Sequence, residues 1–83
     1  MVNFLVIVRN GAVKICGDGF CFSSITARIE THGWCIEIVP DLFNGDVFFN
    51  LEIDYLYVKM DNVILNEGVH SYNAFMIKIT KSE

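Results

Sequence analysis

The sequence predicts an all-β fold, a small antiparallel sandwich or partly open barrel of about seven or eight short hairpin-connected strands. Val, Ile, Phe, Tyr, Trp and Thr supply 33 of the 83 residues, and these side chains pack well on a pleated sheet. The main helix formers Ala, Leu, Glu, Lys, Arg and Gln supply only 19. Turn signals recur between the apolar runs, as consecutive hairpins require. We therefore predict a single all-β domain over residues 1–83.

The first three predicted strands are joined by two tight turns. Residues 2–8 form a predicted strand with apolar residues on both faces, and Asn10-Gly11 follows it. That dipeptide is the strongest short hairpin signal, because both residues tolerate a positive φ. Residues 12–16 return antiparallel to the first strand. Gly17-Asp18-Gly19 then turns the chain into a third strand over residues 20–22.

The clearest predicted hairpin covers residues 25–39. Thr31-His32-Gly33 separates its two arms and puts Gly where a three-residue loop needs a left-handed conformation. Pro40 ends the second arm because it cannot donate to a ladder. The segment 40–45 that follows is predicted as a loop with at most one helical turn. Alternation with polar residues predicts that the inward set of the hairpin is Ile25, Ala27, Ile29, Trp34, Ile36 and Ile38.

The second half of the chain begins with a long alternating stretch over residues 47–58. A strand of this length usually bends or breaks, and we expect the break at Asp54. A short strand over 63–65, a loop over 66–71 and a last strand over 72–80 complete the prediction.

The composition indicates that another chain covers part of the surface. Apolar residues make up 53% of the chain and charged residues 19%, against roughly 45–50% and 25% in ordinary soluble domains. A well-filled core with some apolar surface is the alternative. We predict a homo-oligomer whose interface lies on strands that are apolar on both faces, at Phe4, Val6, Val8, Phe48, Leu56 and Val58. On the first strand the opposite set, Leu5 and Ile7, could point outward instead, because alternation does not say which face is buried.

The charge pattern predicts a protein partner rather than a nucleic acid. The net charge is −4, and no basic cluster with interleaved aromatic residues counters it, so a phosphate backbone would be repelled. The acidic residues concentrate in the middle of the chain. We predict that they steer the protein onto a basic partner surface, the alternative being a solvated strand face. The predicted acidic face consists of Asp46, Glu52, Asp54 and Asp61.

The cysteines and histidines offer weak chemical signals. Cys16, Cys21, His32 and Cys35 could form a zinc site at two hairpin tips, and Cys16 with Cys21 could form a disulfide. The loose spacing favours free thiols instead, so we predict no metal and no cofactor. His32 and His70 fall in predicted loops, and a domain of this size rarely encloses the pocket that a nucleophile and its base require. We predict no catalytic residue.

No segment of the sequence predicts membrane insertion. The longest apolar run, Phe4–Val8, is far shorter than the roughly 20 residues that span a bilayer. It lacks the basic flank and the small-residue cleavage site of a signal peptide. The odd number of cysteines fits a reducing compartment. We therefore expect a cytoplasmic protein without membrane contact.

The missing catalytic and cofactor signatures favour a binding role. We predict a small non-enzymatic protein, acting as a homodimer, that inhibits or neutralises a macromolecular target stoichiometrically. Virus-encoded antagonists of host defence and immunity proteins are of this kind. The alternatives are a structural subunit of a larger oligomer and a zinc-stabilised module.

Overall fold

The computed structural model describes residues 1–42 and 45–82. The described residues form strands and no helix, so none of them belongs to a helix that could cross a membrane. The all-β prediction is confirmed, with more strands than expected. In chain order the ten strands are β1 (Val2–Arg9), β2 (Ala12–Gly17), β3 (Phe20–Ser24), β4 (Ala27–Thr31), β5 (Trp34–Pro40), β6 (Val47–Ile53), β7 (Val58–Met60), β8 (Val63–Ile64), β9 (Gly68–Ser71) and β10 (Phe75–Lys81).

The strands form two sheets that pack face to face as an open sandwich. The larger sheet has the order β3-β2-β1-β6-β7-β8 and the smaller one the order β4-β5-β10-β9. Every pairing is antiparallel. Strands lie about 4.8 Å apart, so six strands span roughly 24 Å and four strands roughly 14 Å. The larger sheet is therefore too wide for the smaller one to cover completely.

The core lies between the two sheets and consists almost entirely of aliphatic side chains. Alternate residues of each central strand point inward, as the period of two in the sequence predicts. Burying each large apolar side chain stabilises the fold by roughly 1.5–3 kcal/mol. The largest fully buried side chains are Ile15, Ile36, Ile38, Leu51, Ile53, Ile77, Ile79, Val6, Val8, Val13 and Val58.

The tight turns use residues that tolerate a left-handed backbone. Asn10 and Gly11 have φ values of 54° and 72°, as the predicted hairpin turn requires. His32 and Gly33 have φ values of 52° and 79°. Thr31 pairs with Trp34 across that turn, so its loop has two residues rather than the predicted three.

The break at Asp54 is confirmed, because β6 ends at Ile53 and β7 begins at Val58. Two other predictions are wrong. Residues 68–71 form strand β9 against β10 instead of a loop. Ile25 lies in a bend where the chain passes from the larger sheet to the smaller one, and its side chain is exposed. The helical turn expected over 40–45 falls partly on residues 43 and 44, which lie outside the described residues.

Candidate partner-binding site

Most residues of the predicted oligomer interface on β1 and β7 belong to the core. Val6, Val8 and Val58 are no more than 1% exposed, so the prediction that they lie at an interface is wrong. Val6 pairs in register with the inward-facing Phe49, and this pairing turns its face of β1 toward the smaller sheet. Phe4 shares that face and is half-buried.

The outer face of β1 is therefore the one that carries Leu5 and Ile7. Phe48 lies directly across from Ile7 on β6, and its side chain is 75% exposed. Leu56, in the loop between β6 and β7, is also exposed. Phe48 and Leu56 remain available to a partner, but they lie toward opposite ends of β6 and form no common patch.

Of the four predicted acidic residues, Glu52 lies on β6, Asp46 and Asp54 lie at its two ends, and Asp61 lies in the turn after β7. Asp46 precedes the strand and Asp54 follows it, about 26 Å away at roughly 3.3 Å per residue. Glu52 lies opposite Lys59 of β7. Asp46 accepts from Arg9 Nε at 3.2 Å. The acidic residues therefore form no compact patch, and two of them lie next to a basic side chain.

Glu52 and Asp54 have local structural partners. The Tyr57 hydroxyl donates to Glu52 Oε2 at 2.5 Å, and the Tyr55 amide donates to Asp54 Oδ1 at 2.6 Å. Trp34 Nε1 donates to the backbone oxygen of Asp54 at 2.8 Å, which ties the smaller sheet to this loop. These bonds fix the connection between β6 and β7.

The bond from Tyr57 should make the protein sensitive to alkaline pH. The hydrogen bond to Glu52, with burial and the nearby carboxylate charges, raises the pKa of Tyr57 from 10.0 to about 12. A raised pKa means that the stabilisation is complete below about pH 10, where the phenol is protonated in both states, and is lost as the pH rises through 12. We expect the melting temperature of the wild type to fall more between pH 9 and 11.5 than that of Tyr57→Phe. Tyr72→Phe should behave as the wild type; equal falls in all three proteins would contradict this role.

Asp46 and Asp61 both line an open cavity of about 350 Å³, which we call the end cavity. It lies between the start of β6, the turn joining β7 to β8, and the loop between β9 and β10. Phe48, Tyr72 and Phe75 also line it. The end cavity thus brings together two predicted acidic residues and one predicted interface residue.

A stack of three aromatic rings leads from the core to the end cavity. Phe49 and Phe75, one from each sheet, stack with centroids 4.9 Å apart, and Tyr72 stacks on Phe75 at 5.0 Å. Phe49 and Phe75 are buried, whereas Tyr72 is 41% exposed. The Tyr72 amide donates to the Phe75 oxygen at 2.8 Å and closes the turn between β9 and β10. Tyr72 is therefore an exposed ring that stacks on a buried one.

The two carboxylates of the end cavity differ in how firmly they are held. Asp61 sits in a left-handed turn conformation, and its Oδ1 accepts from the Asn50 amide at 3.0 Å. Asp46 is paired with Arg9, but both side chains are more than half exposed, and such a pair contributes at most about 1 kcal/mol. An incoming cation could therefore replace Arg9. Carboxylates beside an aromatic face suit a cationic group.

Two of the three cysteines are not the predicted free thiols. Cys16 and Cys21 face each other on β2 and β3, with Cα atoms 4.1 Å apart, and form a disulfide. Closing a loop of this size stabilises a chain by about 2 kcal/mol in the entropic model. Cys35 is free and buried. The cytoplasmic location was predicted in part from reduced thiols, and the disulfide removes that argument.

The zinc alternative is not supported by the positions of its four residues. Cys16 and Cys21 are bonded to each other on the larger sheet, while His32 and Cys35 belong to the β4–β5 hairpin of the smaller sheet. In residues 1–42 and 45–82 there is no group of three or more His, Cys, Asp or Glu side chains that could hold a metal ion. His70 lies in strand β9 rather than in the predicted loop, and its Nε2 lies 2.7 Å from the Asn66 backbone oxygen.

Tyr72 and Phe75 are the site residues that the sequence analysis misses. Alternation over residues 72–80 places both in the last strand, whereas Tyr72 belongs to the turn before it. The available signal is Asn73, a residue type that favours turns. Comparisons with family models, curated proteins and solved structures found no match, so no relative indicates a ligand for the end cavity.

Proposed function

We propose that this chain is a small non-enzymatic binding protein that captures a basic side chain of a macromolecular target. The observation that carries the proposal is the end cavity, which is lined by the exposed residue Tyr72 and by the two acidic residues Asp46 and Asp61. By occupying a basic surface of its target, the protein would act as a stoichiometric inhibitor or neutraliser. Virus-encoded antagonists of host defence and immunity proteins work in this way, and the small size and net charge of −4 fit both.

Arginine suits the end cavity better than lysine. Its guanidinium is planar and weakly hydrated, stacks on aromatic faces, and donates several hydrogen bonds to carboxylates. The apolar stem of the side chain could lie along Phe48, which is exposed at the cavity wall. The ring would favour the cation at short range, and the carboxylates would supply both charge and hydrogen-bond acceptors.

The histidines support a binding role over catalysis. His32 Nδ1 lies 2.8 Å from the Thr31 hydroxyl, and the His32 ring lies 4.6 Å from the Tyr55 ring. His70 Nε2, on strand β9, is hydrogen-bonded to the nearby Asn66 backbone oxygen. Neither residue lines the end cavity.

The test is an NMR titration with N-acetyl-arginine amide, with N-acetyl-norleucine amide as the uncharged control. We expect weak binding of the arginine compound only, seen as shifts of the amide signals of Asp61, Tyr72 and Ala74. High salt should weaken this binding, because it screens the attraction between the guanidinium and the carboxylates. An exposed cation–π contact contributes about 0.5–1 kcal/mol, so Tyr72→Leu should weaken binding roughly two- to five-fold.

The matched variants are Asp61→Asn, which should weaken binding, and Glu67→Gln, which removes an exposed carboxylate outside the end cavity and should not. Equal shifts with the norleucine compound, or shifts confined to other parts of the chain, would contradict the proposal.

The alternative function is a structural subunit of a larger oligomer, and one observation favours it. The outer face of the larger sheet carries Leu5, Ile7 and Phe48 side by side. Sheet faces of this kind can stack on other copies. The mass in solution discriminates between the two functions, because an inhibitor is expected to form a closed dimer and an assembly subunit is expected to grow with concentration.

A further inference from the structure

Strand β3 forms an edge of the larger sheet, and every one of its residues is exposed. Phe20 and Phe22 are 48% and 47% exposed. They share the inward side of the sheet with Ile15 but lie beyond the reach of the narrower sheet. Their rings stack with centroids 6.4 Å apart, and Phe20 meets the half-buried Phe4 edge-on at 6.3 Å. An ordered aromatic surface thus borders an open strand edge.

The other three sheet edges carry features that discourage pairing with another chain. Strand β4 presents Arg28 and Glu30, which are bonded to each other at 3.0 Å. Strand β8 has only two residues, and the four-residue strand β9 begins at Gly68 with a φ of 128°. By contrast, β3 has five residues, and no charged residue occurs from position 19 to position 26. Proteins normally protect exposed edges with charges, proline or shortness, so β3 has the properties of an edge that is covered.

The hairpin geometry shows which backbone groups face the open side. Gly17 and Phe20 close the two-residue turn between β2 and β3, and the closing pair of such a turn is hydrogen-bonded. Antiparallel pairs alternate, so Cys16 and Cys21 form a non-hydrogen-bonded pair, in agreement with their short Cα separation of 4.1 Å. The N–H and C=O groups of Cys21 and Ser23 therefore point away from β2, toward the open edge.

We propose that β3 pairs antiparallel with β3 of a second copy, about a two-fold axis at Phe22. Cys21 then faces Ser23 of the second copy and exchanges two hydrogen bonds with it, and the symmetric pair exchanges two more. The two Phe22 side chains meet at the axis. This inference is linked to the proposed function in one respect: the β3 pairing would be the interface of the homodimer expected for the inhibitor.

A second copy fits this edge because identical strands are self-complementary when antiparallel. Each copy carries a net charge of −4, so association is easiest where no charge is present, and β3 is such a place. The pairing is isologous and closes at a dimer, which leaves the three protected edges at the periphery. A single five-residue strand from each copy forms the contact, so the interface is small and belongs to the size class of weak, transient complexes.

Sedimentation velocity from 1 to 500 µM tests the dimer. We expect the wild type to shift from monomer to dimer, and Phe22→Lys and Ser23→Pro to stay monomeric over the whole range. Proline at position 23 removes an N–H that faces the open edge and spares the bonds to β2. Val69→Lys, an equally drastic change on the exposed edge strand β9, should dimerise as the wild type does. Near-ultraviolet circular dichroism checks that each variant is folded.

Hydrogen exchange tests the register. The amides of Cys21 and Ser23 should become protected as the concentration rises, whereas that of Phe22, bonded to β2, should be protected at every concentration. A monomeric wild type at 500 µM, species larger than a dimer, or dissociation by Val69→Lys would overturn the inference.

Two further variants keep this result separate from the proposed function. Monomeric Phe22→Lys should bind N-acetyl-arginine amide as the wild type does, and Asp61→Asn should dimerise normally. A failure of the edge pairing therefore leaves the end cavity unaffected, and the reverse also holds.

Discussion

Val6→Glu is expected to unfold the protein, whereas Ile7→Glu should leave it folded. Val6 is fully buried between the sheets, and a lone carboxylate there costs several kcal/mol of desolvation. A domain of this size has a total stability of roughly 4–12 kcal/mol. Ile7 points to the outer face, where a carboxylate keeps its water. Far-ultraviolet circular dichroism with thermal melts should show no cooperative transition for Val6→Glu and a nearly unchanged one for Ile7→Glu.

The neighbouring positions make this pair a matched control. Both residues lie in the middle of β1, and both variants add one negative charge to the same strand. A folded Val6→Glu would contradict the inward face of β1. An unfolded Ile7→Glu would mean that the outer face of β1 is also covered. Val6→Ala leaves a small cavity and adds no charge, so its loss of stability should lie between those of the two glutamate variants.

Phe75→Ala should have the second largest effect, a loss of about 3–5 kcal/mol in the free energy of unfolding. Phe75 is the middle ring of the stack, buried between Phe49 and Tyr72. Its removal leaves a void where the two sheets meet, and Tyr72 loses the ring on which it stacks. Urea unfolding measures the loss, which should appear as a lower midpoint with an unchanged slope.

Tyr72→Ala is the control for this prediction, because Tyr72 is the exposed end of the same stack. We expect it to lose much less stability than Phe75→Ala while it weakens binding at the end cavity several-fold, as Tyr72→Leu does. If Tyr72→Ala destabilised the protein as strongly as Phe75→Ala, the ring would have to be regarded as core rather than as part of a binding surface.

Local patterns predicted the parts of the fold that depend on neighbouring residues. Asn10-Gly11 marked its turn, and alternation over residues 27–38 identified Ala27, Ile29, Trp34, Ile36 and Ile38 as buried, although it missed the buried Cys35. The face of β1 could not be predicted, because both of its faces are apolar and the pairing with β6 decides between them. The disulfide could have been predicted from the sequence, because a turn centred on Asp18 and Gly19 places Cys16 opposite Cys21.

The end cavity could not be predicted from local patterns. Its walls come from the start of β6, the turn before β8 and the loop before β10. Hairpin signals fix neighbouring strands, whereas these segments meet only through the packing of one sheet on the other. The two carboxylates were identified as acidic residues, but their common cavity depends on Tyr72 and Phe75, which alternation assigned to a regular strand.

The pairing of β1 with β6 also has a kinetic consequence. Val8 pairs with Val47 and Val2 with Ile53, so the centre of the larger sheet forms only when a loop of about 40 residues closes, and loops of this kind make β proteins fold in milliseconds to seconds. The central ladder of the smaller sheet also joins residues that are far apart in the sequence, since Trp34 pairs with Lys81. The Cys16–Cys21 bond closes a short loop at the periphery and does not shorten either of the two long loops that must close during folding. Oxidation therefore stabilises the completed fold while leaving its slowest step almost unchanged.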